Sequence, residues 1–131
     1  MNIKDNLSHE EEEYVRQLIE HIRGDSDIYG LIRYGSSVTS TSYRDIDLCL
    51  VAADEVPVEK QYKLRVFLPE KFDVHFFTNL PLYIQHEVLQ IGVYEFIQDY
   101  DKLFDVCVKS IKDYALFEPH FRMFLELIKN D

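Results

Sequence analysis

Three aspartates stand at or near the heads of apolar segments, where their carboxylates could do chemistry. Asp45 and Asp47 open the segment DIDLCLV, and Asp73 follows Phe72 in FDVHFF. Side chains alternate along a β-strand, so Asp45 and Asp47 share one face and lie about 7 Å apart. Carboxylates this close repel each other unless a cation lies between them, and Mg²⁺ prefers oxygen ligands. The pattern predicts a metal site at Asp45 and Asp47, which Asp73 completes if its strand lies alongside.

A Gly-Ser turn precedes the paired aspartates. Gly35 and Ser36 follow the apolar run 28–34, and Asp45 comes ten residues after Gly35. Glycine lets the backbone approach a phosphate closely, and serine adds a hydroxyl and an N–H group. We therefore expect Gly35 and Ser36 to bind a nucleotide, with a short helix over residues 36–41 facing the phosphates. Asp73 could then accept the proton of an attacking hydroxyl.

The same residues also allow a simpler interpretation. The Asp-x-Asp pair could be a solvated strand end, the Gly-Ser pair an ordinary turn, and Asp73 a surface residue. The roles of two neighbouring residues, Arg44 and His75, are open in the same way. Arg44 could contact a phosphate or lie in a solvated loop. His75, on the same strand face as Asp73, could carry a proton, stack on a base or simply be packed.

The spacing of apolar residues predicts one α/β layer structure. A capping box at Ser8–Glu11 begins a helix over about residues 9–23, which Gly24 ends, and the Glu run is expected to be a solvated first turn. Strands are predicted over residues 28–34, 46–51, 72–77 and 93–98. Residues 54–68 fit either a helix or an extended segment. The prediction is a short mixed sheet of four to five strands flanked by helices, with residues 1–131 as a single domain.

Prolines and apolar stripes define the second half of the chain. Pro81 is expected at the first position of a helix that Gly92 ends. The final helix begins near Asp101, with an apolar stripe formed by Leu103, Cys107, Ile111, Tyr114 and Ala115, and Pro119 is expected to interrupt it. Phe117, two residues before the proline, forms an aromatic stripe with Phe121 and Phe124 beyond it. We expect most of this aromatic stripe to be core, and part of it to be exposed for a partner.

Composition excludes several classes of function. The chain carries 14 Lys and Arg against 24 Asp and Glu, a net charge of −10 without a basic cluster, so nucleic-acid binding is not expected. Cys49 and Cys107 lack metal-ligand spacing and are expected to be buried free thiols. No stretch approaches the ~20 apolar residues of a membrane span, and the first residues lack an apolar leader. We expect a cytoplasmic protein.

The segment YGSS, a spacer and DIDLCLV together resemble the signature of the minimal nucleotidyltransferase (MNT) family of the DNA polymerase β superfamily. The later text LPLYIQHEVLQ and the spaced aspartates after it are similar to prokaryotic members, so the resemblance covers about residues 12–125. It implies a polymerase-β-like nucleotidyltransferase fold. It also implies that Asp45, Asp47 and Asp73 bind Mg²⁺ and carry catalysis, while Gly35 and Ser36 hold the nucleotide. The spacer is shorter than usual and lacks the second glycine, a change expected to weaken nucleotide binding.

The resemblance further implies Mg²⁺-dependent transfer of a nucleotide, AMP from ATP being the expected case, to a hydroxyl acceptor. Family members often work beside a HEPN-type toxin, which implies a tyrosine of that partner as the acceptor. Two alternatives stay open. One is a catalytically weak antitoxin that neutralises a HEPN-type partner by binding it. The other is nucleotide transfer to an antibiotic, which usually needs a larger substrate domain. The sequence does not determine whether the chain forms a homo-oligomer.

Overall fold

The computed structural model describes residues 6–129. Its elements follow in the order α1 (His9–Ile22), β1 (Ile28–Tyr34), α2 (Ser36–Thr39), β2 (Ile46–Ala52), α3 (Val58–Arg65), β3 (Phe72–Phe76), a 3₁₀ turn (Phe77–Asn79), α4 (Leu82–Ile91), β4 (Val93–Ile97) and α5 (Tyr100–Lys129). Residues 1–5, part of the segment expected to lack an apolar leader, lie outside this range. None of the helices within residues 6–129 is both long enough and apolar enough to cross a membrane.

The four strands form one mixed sheet in the order β3-β2-β1-β4. Strand β1 is antiparallel to both β2 and β4, whereas β2 and β3 run parallel. A parallel pair needs a crossover connection, and α3 supplies it between β2 and β3. The stretch that fitted either a helix or an extended segment is therefore helical over Val58–Arg65, directly after Pro57. The predicted mixed sheet flanked by helices is confirmed.

Helices cover the sheet on both faces. On one face, Leu31, Leu48 and Val74 pack with residues of α1 and α3, including the fully buried Leu18. On the other face, strand residues pack with residues of α4 and α5; this second cluster contains Ile32, Tyr34, Cys49, Val51, Phe77, Val88 and Leu103. Strands buried on both faces read as continuous apolar runs, which explains the patterns of β1 and β2.

Helix α1 begins with the predicted capping box. The Glu11 N–H donates to Ser8 Oγ at 3.1 Å, and the Ser8 N–H donates to Glu11 Oε1 at 2.9 Å. Gly24 follows the helix with a φ of +84°, the left-handed conformation expected of it. The expectation of a fully solvated first turn is wrong for Glu11, which is buried. Its carboxylate accepts from Tyr43 Oη at 2.6 Å and pairs with Lys71, whereas the other glutamates of the turn are exposed.

Helix α4 begins after Pro81 and ends at Gly92, as predicted apart from one residue. Pro81 is the N-cap, with a φ of −56° and a ψ of 150°, and the first helical residue is Leu82. The Gly92 N–H donates to the Val88 carbonyl at 2.8 Å. A side chain at position 92 would lie 2.6 Å from Ile32 Cγ2, so glycine is needed where α4 meets β1.

Helix α5 runs without a break from Tyr100 to Lys129, and the predicted interruption at Pro119 is wrong. Proline removes one backbone hydrogen bond, but ring stacking holds the helix on both sides of it. Phe117 stacks on Phe121 at 5.3 Å across the proline, and Phe121 stacks on Tyr83 of α4 at 5.5 Å. Tertiary packing therefore overrides the local helix-breaking signal.

The face that α5 buries differs from the predicted stripe. Leu103 and Ser110 are buried, whereas Ile111 is 56% exposed and Ala115 is also exposed. Ser110 Oγ donates to Gln85 Oε1 at 2.7 Å, so a hydrogen bond satisfies this buried hydroxyl. Cys107 is only partly buried, unlike Cys49.

Candidate active site

The register of β1, β2 and β3 places the predicted residues at one end of the sheet. Asp47 on β2 is the Cα partner of Tyr34 on β1 and of Asp73 on β3. Neighbouring strands are about 4.8 Å apart, so the two aspartates are direct neighbours on one sheet face. Asp45 precedes β2 and is exposed. The prediction that the Asp45–Asp47 strand lies beside the Asp73 strand is confirmed.

Gly35 leaves β1 directly against the carboxylate of Asp47. Its φ is +75°, which disfavours L side chains. A Cβ atom added at Gly35 would lie 2.2 Å from Asp47 Oδ2 and 3.1 Å from Asp47 Cγ. Both the backbone conformation and the missing side chain are therefore required here. The contact brings the main chain of the Gly-Ser turn against a carboxylate.

The turn after Gly35 closes without a second glycine. The N–H groups of Val38 and Thr39 both donate to the Gly35 carbonyl, and the Ser40 N–H donates to Ser36 O at 2.9 Å. Ser40 then continues in an extended conformation, with a φ of −137°. Among the described residues only Gly24 and Gly35 have a positive φ. The shortened spacer therefore requires no left-handed residue between α2 and β2. The predicted short helix over residues 36–41 is observed over Ser36–Thr39.

Ser36 and Ser37 differ in exposure. Ser36, the expected nucleotide-binding serine, is exposed at the mouth of the site. Ser37 is fully buried, and its carbonyl accepts from Nη1 of Arg33 at 2.8 Å. Of these two serines, only Ser36 has a hydroxyl that a phosphate could reach. Ser37 instead connects the turn to Arg33 inside the protein.

The electrostatics of the site centre on Asp47. Burial raises the pKa of this carboxyl group, and repulsion from Asp73 and from Asp45 raises it further, while His75 opposes the shift. Burial also raises the pKa of Tyr34, with contributions from Cys49, Asp47 and Asp73. A cation at this end of the sheet would offset the repulsion between the neighbouring carboxylates.

The carboxylate set suits Mg²⁺ bound together with a phosphorylated ligand. Across residues 6–129, no three His, Cys, Asp or Glu side chains form a ready-made metal cage. Mg²⁺ usually takes one or two carboxylates, keeps several waters and completes its shell with substrate phosphates. The backbone of Gly35 lies against the carboxylate of Asp47, so a phosphate bound at this backbone would stand next to that carboxylate. The donor chemistry fits the metal, although the protein alone does not enclose it.

Asp73 and His75 form an exposed pair on β3. His75 Nε2 lies 3.0 Å from Asp73 Oδ1, and the side chains are 41% and 57% exposed. The expected shared strand face of the two residues is thus observed. Arg44, exposed beside Asp45, lies at the same end of β2.

Two residues of this region were not singled out from the sequence. Tyr34 pairs with Asp47 across the sheet, and Arg33 contacts the turn that carries Ser36. A signal was available for Arg33, because a charged residue inside an otherwise apolar strand must find partners when it is buried. Of these partners, Glu95 is 62 residues away and Ser37 contributes a backbone carbonyl, so the spacing of residues revealed neither.

Comparison with known proteins agrees with this geometry at the level of fold. No protein-family model matches the chain. A Methanocaldococcus jannaschii protein named "Putative protein adenylyltransferase" is 34% identical over 67 residues, which are 50% of this chain. The match spans 52% of that relative, about half of its length.

Solved toxin–antitoxin complexes contain chains of the same shape. One complex, determined with AMP-PNP, matches with a TM-score of 0.69 at 18% identity, covering 90% of this chain and 98% of the other. A second, a tri-AMPylated Shewanella oneidensis HEPN toxin with its MNT antitoxin, matches with a TM-score of 0.65 at 20% identity, covering 90% and 95%. The resemblance to minimal nucleotidyltransferases is thus confirmed at the level of fold. This chain has the minimal nucleotidyltransferase fold that is found in these complexes.

Proposed function

We propose that this protein is a Mg²⁺-dependent nucleotidyltransferase that transfers AMP from ATP to a hydroxyl group of a HEPN-type partner protein. One observation carries the proposal. The Gly35 backbone, the half-buried Asp47 and the neighbouring Asp73 converge at one end of the sheet. Carboxylates next to a glycine turn suit a metal-bound triphosphate, because the metal offsets the repulsion between carboxylates and phosphates.

Each residue has a separate task in this proposal. Asp45 and Asp47 would hold Mg²⁺, with Asp73 as a third carboxylate beside them. When bound, the metal supplies positive charge against the phosphates. The turn at Gly35 and Ser36 would hold the β- and γ-phosphates through backbone N–H groups and the exposed Ser36 hydroxyl. ATP is favoured as the nucleotide because the similar archaeal protein is named as an adenylyltransferase and a similar complex contains AMP-PNP.

The reaction is an in-line displacement at the α-phosphorus. The acceptor oxygen forms a bond to phosphorus as the bond to the pyrophosphate oxygen breaks, and pyrophosphate leaves. The acceptor hydroxyl loses its proton in the process, and Asp73 would accept it; the 57% exposure of its side chain supports this role because an incoming acceptor could reach it. Orientation of the two reactants and electrostatic stabilisation would supply most of the rate.

A protein acceptor is favoured by the exposed end of α5. Beyond Pro119 the helix exposes a set of large apolar side chains, here called the distal α5 surface: Met123, Phe124, Leu125, Leu127 and Ile128, all at least 48% exposed. Contiguous apolar surface of this kind is typical of protein interfaces. In a complex of the same fold, the HEPN toxin is tri-AMPylated and bound to its MNT antitoxin. We therefore propose a HEPN-type partner and a tyrosine acceptor on it.

Label transfer tests this function. The protein is mixed with each HEPN-type protein of the same genome, Mg²⁺ and ATP labelled at either the α- or the γ-phosphate. The proposal predicts α-label on the partner, no γ-label, and loss of transfer in Asp47→Asn. Asp105→Asn, an exposed aspartate on α5, is the matched control and should transfer normally. Transfer of the γ-label instead would show that the protein is a phosphoryl transferase and not a nucleotidyltransferase.

The second candidate is an antitoxin that acts only by binding. The distal α5 surface also supports this alternative, because docking does not require catalysis. It predicts that Asp47→Asn neutralises the partner as fully as the unmodified protein and that no α-label is transferred by either form. Neutralisation that fails in Asp47→Asn while the complex still forms would exclude it.

A further inference from the structure

We propose that Arg33 is a positioning residue that fixes the turn Gly35–Ser37 in its nucleotide-binding conformation. This inference rests on the proposed function, since it concerns how the turn binds a nucleotide. Arg33 lies on β1 and is 2% exposed. Its side chain lies on the α1 side of the sheet, beside a cavity of about 270 Å³ lined in part by Val15 and Glu95. Asp47 lies on the opposite face, so Arg33 acts on the turn from behind.

The guanidinium joins β4 to the turn. Nε donates to Glu95 Oε1 at 2.9 Å, while Nη1 donates to the Ser37 carbonyl at 2.8 Å and lies 3.4 Å from Ser37 Oγ. Glu95 belongs to β4, the edge strand next to β1. The planar fork of arginine donates in two directions at once, which a lysine ammonium on a flexible stem does less well.

The Ser37 carbonyl needs this donor because α2 is very short. The last carbonyls of a helix have no partner within the helix. The Gly35 carbonyl accepts two N–H groups and the Ser36 carbonyl accepts that of Ser40. The next carbonyl, that of Ser37, would accept from the N–H of residue 41 if the helix continued, but the helix ends at Thr39 and Ser40 is extended. Arg33 occupies the place of that missing donor.

This arrangement explains how the turn is held without a second glycine. Residues 40–45 lead away in extended or irregular conformation, so they do not extend the helix that carries Ser36 and Ser37. Arg33 instead connects the turn to the sheet, because it bonds both to Ser37 in the turn and to Glu95 on β4. A turn fixed in this way loses less conformational freedom when phosphate binds, and preorganisation of this kind raises affinity.

A purely structural role makes a different prediction. If the Arg33–Glu95 pair only stabilised the sheet, replacing both residues with methionine would restore stability and leave nucleotide binding intact. Buried ion pairs are often replaceable by apolar residues without loss of stability, whereas removal of one partner is destabilising. The double replacement therefore separates stability from positioning, because it still leaves the Ser37 carbonyl without its donor.

The test compares Arg33→Met, the double variant Arg33→Met with Glu95→Met, and Arg16→Met as a control. Arg16 lines the same cavity but is exposed and pairs with Glu13. Urea unfolding gives stability, calorimetric titration with Mg²⁺ and ATP gives Kd, and amide exchange without nucleotide reports on Val38 to Ser40. We expect the double variant to recover part of the stability lost in Arg33→Met, because the Ser37 carbonyl stays without its donor. The Kd of the double variant should stay raised about tenfold, equivalent to about 1.4 kcal/mol, with faster exchange in α2.

The outcomes distinguish the two claims. An unchanged Kd and unchanged α2 exchange in the double variant would overturn the role of Arg33 and leave the proposed function intact. No binding of Mg²⁺ and ATP by the unmodified protein would instead overturn the proposed function, and the positioning role with it. A raised Kd in Arg16→Met equal to that in the double variant would also count against Arg33, since the effect would then belong to the cavity in general.

Discussion

At the scale of single residues, Asp47 combines partial burial with two acidic neighbours. Its raised pKa means that the folded protein disfavours the ionised carboxylate. Stability is therefore lost as pH rises from the ordinary value of 3.8 through the raised one, and the loss persists at neutral pH. The residue that the proposed chemistry needs most is thus one that opposes folding when no cation is present.

Asp47→Asn should accordingly stabilise the metal-free protein. The amide keeps the shape of the carboxylate and removes its charge, so repulsion from Asp45 and Asp73 disappears. We expect a rise in Tm of about 2–4 °C at neutral pH, measured by thermal unfolding in the presence of a chelator. The same change at Asp105, which is exposed, should leave Tm unchanged. A lower Tm for Asp47→Asn would show that the carboxylate stabilises the fold through contacts that outweigh this repulsion.

Gly35 offers a second residue-scale prediction, with Gly24 as its control. Both have a positive φ, +75° and +84°, but a Cβ at Gly24 meets no atom within 4 Å, whereas at Gly35 it meets Asp47 Oδ2 at 2.2 Å. Gly24→Ala should cost about 1 kcal/mol from backbone strain alone. Gly35→Ala should cost about 2–4 kcal/mol, because Asp47 or the turn must also shift. Denaturant unfolding measures both, and equal losses would contradict the close contact.

At the scale of elements, the start of α1 is fixed to the segments before β2 and β3. Burial opposes ionisation of Glu11, but hydrogen bonds from Lys71, Tyr43 and Ser8 more than offset it and lower its pKa to about 2. The stabilisation is therefore fully present above the ordinary value of 4.5 and is lost as pH falls from there to about 2.

Glu11→Gln should remove this acid sensitivity together with the charge. We expect a loss of about 2 kcal/mol at neutral pH, discounted for the half-exposed Lys71. The difference from the unmodified protein should shrink between pH 4.5 and 2, as measured by urea unfolding at several pH values. Glu12→Gln, an exposed neighbour in the same turn, provides the baseline. A constant difference across this range would contradict the pairing of Glu11 with Lys71.

Helix α5 divides into a packed half and an exposed half, and two phenylalanines test the division. Phe121 stacks on Phe117 and Tyr83, so Phe121→Ala should cost about 2 kcal/mol of stability. Phe124 is 57% exposed, and Phe124→Ala should change stability by less than about 0.5 kcal/mol. Phe124→Ala should also bind a HEPN-type partner more weakly, as measured by titration calorimetry. An unchanged affinity in that variant would show that Phe124 lies outside the interface.

At the scale of the whole molecule, the order of elements was predictable because each carries a local signal. The capping box at Ser8, the glycines at positions 24 and 92, and the apolar runs of β1 and β2 act through neighbouring residues. The adjacency of Asp47 and Asp73 also followed from the same-face pattern, although no local signal states which strands pair. Sequence reasoning was therefore sufficient for the positions of the strands and of the candidate site, but not for the strand order β3-β2-β1-β4.

The remaining features depend on partners far apart in the sequence. The burial of Glu11 depends on Tyr43 and Lys71, and that of Arg33 depends on Glu95, 62 residues away. The continuity of α5 through Pro119 depends on ring stacking against α4 rather than on helix propensity. Such features emerge only when the folded chain brings these residues together, which explains why local patterns gave a wrong expectation for Glu11 and for Pro119 and none for Arg33.

We propose that the end of the sheet around Gly35, Asp47 and Asp73 binds Mg²⁺ and a nucleotide together. Calorimetric titration of ATP into the purified protein tests it most directly, with and without Mg²⁺, alongside Asp47→Asn and Asp105→Asn. We expect saturable binding that requires Mg²⁺, is lost in Asp47→Asn and is unchanged in Asp105→Asn. Binding that is equal without Mg²⁺, or that survives Asp47→Asn, would contradict it.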